Sequence, residues 1–277
     1  MLYDLIGTER ELSQVGWALR EFARQLGATV VGALHVTCSD EAEWECGEAF
    51  QRWFAAGALP ELKPASRAPL RSINLGARYE WGSIRTADEH FRSAESPAPL
   101  KLMVVKINAH VAVRTSAQGP EYGWLHRYHG DSACCGSLAA LLQGVRLPAT
   151  RELAEAFAAD GKNRVAVLRD TSRVAVEHRA LLAALTNARL QAQRAVLDIR
   201  EQRPETPTVF LVLPCVTINR PGPDGELVVG QCGVDWTGPA PEIKYRGLGD
   251  DPGAYHVRHD QGRLTITDDQ WPGIAGG

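Results

Sequence analysis

No apolar run in this 277-residue chain approaches the roughly 20 residues that a membrane-spanning helix needs. The first residues lack the basic, apolar and small-residue order of a secretory signal, so no membrane association or export is expected. Cysteine is scarce, six residues in all, too few for a disulfide scaffold at this length. A reducing, cytoplasmic setting is expected, in which those thiols are available as ligands or nucleophiles. Charge of one sign is also missing. The formal net charge is −3, with no basic block to meet a phosphate backbone, so nucleic acid is not an expected partner. A Walker loop, a dinucleotide fingerprint and a serine elbow are all absent, which sets those enzyme classes aside. What remains is ordinary for a globular protein: 44% hydrophobic and 23% charged, enough to bury a substantial core.

Strand and helix signals alternate along the chain, which points to an α/β class. Residues 9–25 read as an amphipathic helix that Gly27 ends. Residues 28–37 read as a buried strand rich in β-branched side chains, and 41–56 as a second helix. The proline-bearing stretch 59–70 is a loop, and 74–83 is glycine-rich and aromatic without a clear period. Residues 101–113 form a second buried strand and 121–129 a third. Short helices are expected over 135–142 and 149–159. The longest periodic segment is 172–202, with Val174, Leu181, Leu185, Ala188, Ala192, Val196 and Ile199 on one stripe. Such a helix packs either within its own chain or across a dimer partner. Strands at 210–216 and 227–233 flank the hairpin signal 221–225, and one more lies near 264–267. The chain is read as a single domain over 1–277, with 205–277 as its strand-rich extension.

Three positions carry the chemistry. Cys38 ends the first apolar strand, with Asp40 two residues on. His110 ends the second, and Cys135 opens a helical pattern within Gly130-Asp-Ser-Ala-Cys-Cys-Gly-Ser137. Two thiols and an imidazole at the edges of regular elements suit a catalytic zinc site, in which three protein ligands leave a fourth position for water or substrate. The spacing, 72 residues from Cys38 to His110 and 25 more to Cys135, matches no compact zinc finger. The carboxyl end of a strand is also where open α/β sheets build their sites.

The Asn108-Ala-His-Val-Ala-Val113 segment, followed by Gly-Asp-Ser-Ala-Cys-Cys-Gly at 130–136, resembles the limiting-CO2-inducible protein B/C family, whose members are β-carbonic-anhydrase-like. The resemblance covers about residues 30–145 and rests on the order of short motifs. It implies a β-carbonic-anhydrase-like fold, with a mostly parallel central sheet flanked by helices, and a homodimer. It implies Zn2+ held by Cys38, His110 and Cys135, with Asp40 beside the fourth position. The implied reaction is reversible hydration of CO2 to bicarbonate. One departure stands out. β-Carbonic anhydrases usually read Cys-x-Asp-x-Arg, and this chain reads Cys38-Ser-Asp-Glu-Ala42. The missing arginine normally holds the aspartate off the metal through its bidentate fork. Arg78 and Arg85 are the candidate substitutes, and Tyr79 and Trp81 the candidate pocket walls.

Plainer readings stand beside these. Free cysteine is often an inert core thiol, and Asp40 can simply cap the helix that follows. His126 and His129 suit a proton shuttle or a structural role, and Cys46, Cys215 and Cys232 are read as structural. Two functional alternatives remain open: a catalytically silent zinc-binding scaffold responsive to CO2 or bicarbonate, and a metal-free enzyme using Cys135 and a histidine as nucleophile and base.

Overall fold

The protein was analysed as a computed structural model that describes the chain apart from residues 8–19, 56–60, 143–178, 220–224, 248–255, 268–277 and a few isolated positions. The expected helix at 149–159, the first part of the one at 172–202, Cys134 and His129 lie outside the described residues. Two short N-terminal strands, β1 (Tyr3–Asp4) and β2 (Ile6–Gly7), precede the core strand β3 (Val30–Cys38). A 3-10 turn at Glu41–Glu43 leads into helix α1 (Trp44–Ala55). Strands β4 (Lys63–Pro64) and β5 (Leu70–Asn74), a 3-10 turn at Leu75–Ala77 and helix α2 (Ser83–His90) follow. The stretch without a clear period is thus an irregular loop between β5 and α2.

The longest strand is β6 (Lys101–Ser116), three residues longer than its apolar run. Strands β7 (Gly119–Tyr122) and β8 (Trp124–Arg127) then occupy the segment 121–129 expected as a single strand, and β9 (Gly130–Ala133) follows. Gly123, with φ at 95°, supplies the left-handed turn that breaks it. Helix α3 (Gly136–Leu142) and the long helix α4 (Arg179–Glu201) lead to β10 (Thr208–Asn219). The chain closes with β11 (Gly225–Val228), β12 (Gln231–Asp235), β13 (Glu242–Gly247), β14 (His256–Asp260) and β15 (Arg263–Thr267).

The main sheet runs β13-β12-β10-β6-β3-β4, with β5 also on β3. Its centre is parallel, its β12–β13 side antiparallel. Strands β10 and β11 pair antiparallel across the expected hairpin, and β14 and β15 form a small sheet with β1. Burial on both faces explains why β3, β6 and β10 read as near-continuous apolar runs. Alternation sends Leu34, Val36, Val105, Ile107, Phe210 and Val212 to one face, where Ala192, Val196 and Ile199 of α4 cover them. Val31, Ala33, Val104 and Leu213 face the other way, beneath Phe50 and Phe54 of α1. The apolar stripe of α4 is therefore buried within its own chain. Among the described residues no helix is long and apolar enough to cross a membrane.

The register fixes where chemistry can happen. Thr37 of β3 lies beside Asn108 of β6, and His110 of β6 beside Thr217 of β10. His110 does not end its strand as expected: β3 stops at Cys38 beside it, while β6 runs on to Ser116, and all three parallel strands carry polar side chains at this level.

Candidate metal centre

Cys38, His110 and Cys135 offer a sulfur, a ring nitrogen and a sulfur that all lie within 4.8 Å of one another. The two Sγ atoms are 3.7 Å apart. Tetrahedral zinc with sulfur ligands at about 2.3 Å requires a separation of roughly 3.8 Å. The donor set therefore fits a tetrahedral zinc ion with one position left over. All three residues are buried, at 1–3% exposure, although they come from a strand end, a strand interior and a helix start.

The acidity of the thiols suits a cation. A hydrogen bond from Cys135 pushes the Cys38 thiol down to about 4, against burial and with help from His110 and the Asp40 backbone. The same hydrogen bond and burial hold Cys135 well above the ordinary thiol range. The pair gives up one proton easily and keeps the second until something positive replaces it. Gly76 adds a backbone N–H, 3.2 Å from Cys38 Sγ.

His110 is held from behind. Its Nδ1 lies 3.0 Å from Asn219 Oδ1, and Asn219 Nδ2 donates to the carbonyl of Ala42 at 3.0 Å. Because Ala42 O can only accept, the Asn219 amide is fixed in one orientation and its oxygen faces the ring. Nδ1 thus carries the proton, which leaves Nε2 as the ring's candidate donor to a metal.

Glu43 is the residue that sequence reasoning missed. It is buried on the 3-10 turn, its Oε1 3.9 Å from His110 Nδ1. Oε2 accepts hydrogen bonds from Thr37 Oγ1 at 2.9 Å and from Asn108 Nδ2, which also reaches Thr217 Oγ1 at 2.6 Å. Burial pushes the Glu43 carboxyl up to about 7, against the pull of His110 and the two side-chain donors. Polar residues inside the apolar strands (Thr37, Asn108, Thr217, Asn219) were the available signal for this network.

The fold matches known structures. PtLCIB4, a homolog of the limiting CO2-inducible protein LCIB, aligns with a TM-score of 0.56 at 16% identity, over 88% of this chain and 96% of that one. A mutant of the same protein gives 0.55 at 16% identity, over 88% and 93%. This chain has the limiting-CO2-inducible protein fold. A β-carbonic anhydrase of Sordaria macrospora overlaps less well, with a TM-score of 0.30 at 16% identity, over 72% of this chain and 88% of that one. No family model matches the sequence, and no curated protein matches it.

The remaining expected site residues are spread around this cluster. Asp40 follows Cys38 directly outside the strand, and its Oδ1 accepts from the Ala42 N–H at 3.1 Å, so it caps the turn as the plainer reading expects. Arg78 ends the loop after β5, its Nε 3.9 Å from Glu80. Arg85 is exposed on α2 and pairs with Glu89 at 3.0 Å. Tyr79 is sealed in the core with its hydroxyl on Asp198, whereas Trp81 is 56% exposed. Cys215 and Cys232 are buried core thiols, as expected.

Proposed function

We propose that this chain is a zinc-dependent, carbonic-anhydrase-like protein that hydrates CO2 to bicarbonate. The observation that carries the reading is the Cys38–His110–Cys135 cluster, with its 3.7 Å sulfur separation at the strand ends of an LCIB-like fold. Zinc, where bound, would lower the pKa of a water toward about 7 and so supply a nucleophile at neutral pH. Cys38 and Cys135 would hold the ion as thiolates and His110 through Nε2. Asp40, at the mouth of the cluster, would orient the reacting water through the carboxylate oxygen that the Ala42 N–H does not hold. CO2 needs almost no hydrogen bonding, so the apolar side chains around the cluster (Ala77, Ala109, Val111) suit it.

Ala42 sets the level of activity. Without an arginine at that place, Asp40 would be able to approach the metal and take the fourth position. Arg78 and Arg85 are the proposed substitute cations, although Arg78 lies 3.9 Å from Glu80 and Arg85 3.0 Å from Glu89. Stopped-flow CO2 hydration by the zinc-loaded protein is the test. Measurable turnover that rises in Ala42→Arg supports the enzyme reading. Zinc-loaded, folded protein with no turnover in either form would leave the silent scaffold in its place. The nucleophile reading is disfavoured because Cys135 is 3% exposed and its thiol is held protonated.

The protein is proposed to work as a single domain, as a homodimer, in a reducing cytoplasm with CO2 and bicarbonate as its small-molecule partners. Trp44, Ile73 and Leu75, exposed near the β5 edge, support self-association. A sedimentation experiment that finds only monomer would remove that part.

A further inference from the structure

Among the buried polar residues of helix α4, which also buries the apolar stripe, are Asn187, Gln191 and Asp198. They reach the loop between β5 and α2, whose backbone is strained. Gly76 and Ala77 both have positive φ, 67° and 56°, and Ala77 is fully buried. A left-handed alanine beside a candidate metal ligand is an outlier that needs a cause.

The hydrogen bonds supply one. The Tyr79 N–H donates to Gln191 Oε1 at 2.9 Å, and Gln191 Nε2 donates to Asn187 Oδ1 at 3.2 Å. Asn187 Nδ2 donates to the Gly76 carbonyl at 2.6 Å, and the Gly76 N–H donates to Cys38 Sγ at 3.2 Å. Both ends of the two-amide link are backbone groups of fixed polarity. An N–H enters at Tyr79 and a carbonyl receives at Gly76, so neither side-chain amide can be flipped without losing a bond. The two side-chain amides polarise one another as far as the Gly76 carbonyl; that carbonyl and the Gly76 N–H belong to different peptide groups, so what connects the link to the sulfur is the fixed Gly76 backbone. Asp198 anchors the far end of the loop by accepting from the Tyr79 hydroxyl and the Gly82 N–H.

We propose that Asn187 and Gln191 are positioning residues for the metal centre, holding the left-handed Gly76 turn so that its N–H is aimed at the Cys38 sulfur. This inference rests on the metal-site reading above. A thiolate that accepts an N–H bond is a weaker electron donor, so the bond sets at what energy the Cys38 charge moves to the metal, while the held turn keeps the sulfur placed to bind the ion. Neither side chain touches the metal.

The test compares the full chain with Asn187→Ala and Gln191→Leu. Zinc affinity is measured by competition with a chromogenic chelator, and the sulfur-to-metal charge-transfer band after cobalt substitution. About tenfold or greater loss of zinc affinity is expected in each variant, with the cobalt band moved to lower energy. A role in folding alone would leave that band in place. A 113Cd-loaded sample of the unsubstituted chain provides a check that needs no variant: magnetisation transfer between cadmium and the Gly76 amide proton is expected. Unchanged affinity and band in folded variants, or no transfer to Gly76, would overturn the relay while the metal site stands. An unsubstituted chain that binds no metal would instead remove the site reading and the relay with it.

Discussion

His35 shows how one residue's chemistry follows from where its strand is buried. It is fully enclosed on β3, 5.0 Å from the Phe50 ring, and neither ring nitrogen has a hydrogen-bond partner among the described residues. Burial, then the positive charges of Lys106 and Arg71, hold its pKa well below the ordinary value. The folded state keeps this ring neutral, and the unfolded chain takes up a proton below about 6.5. Its contribution is thus present above that pH and lost as pH falls through it, up to about 2 kcal/mol between pH 7 and 5. Urea unfolding of His35→Leu at the two pH values should show a smaller drop than the unsubstituted protein; equal drops would contradict a buried neutral ring. At this scale Cys38, His110 and Cys135 were legible, since each marks the edge of an apolar run. Glu43 was not, because Glu41, Glu43, Glu45 and Glu48 look alike in a helical pattern. Nor was Asn219, which meets His110 across 109 residues through the register of β6 and β10.

Among the elements, α4 is the one whose face the sequence settled best. Leu181, Leu185, Ala188, Ala192, Val196 and Ile199, spaced at helical period, are all at most 1% exposed. Leu185→Ala should cost about 2–5 kcal/mol in chemical denaturation. Leu197, 43% exposed on the opposite side, should cost less than about 0.5 kcal/mol on the same change. Similar costs would contradict the assigned face. Apolar periodicity said nothing of Asn187, Gln191 and Asp198, because it marks polar positions only as outside the stripe. The 74–83 segment stayed unreadable for a related reason. Its shape comes from positive φ angles and from bonds to a helix over 100 residues away, neither of which leaves a local pattern.

Across the whole molecule, the alternation of strand and helix signals indicated an α/β protein and the family resemblance a mostly parallel centre, and the structure has both. The antiparallel extension by β12 and β13, and the pairing of β15 with β1, were beyond a sequence reading because they join distant segments. The fold is useful to the site because β3 and β10 end beside the middle of β6. That placement brings Cys38, His110 and Asn219 together, and α3 delivers Cys135 from above the strand ends. Metal loss is therefore expected to be set by these three ligands and not by the distant antiparallel edge. The most direct measurement is the zinc content of protein purified without added metal, alongside Cys38→Ala and Cys135→Ala. About one zinc per chain, lost in both variants, is the predicted result. A folded, metal-free protein, or one whose zinc survives both substitutions, would contradict the account.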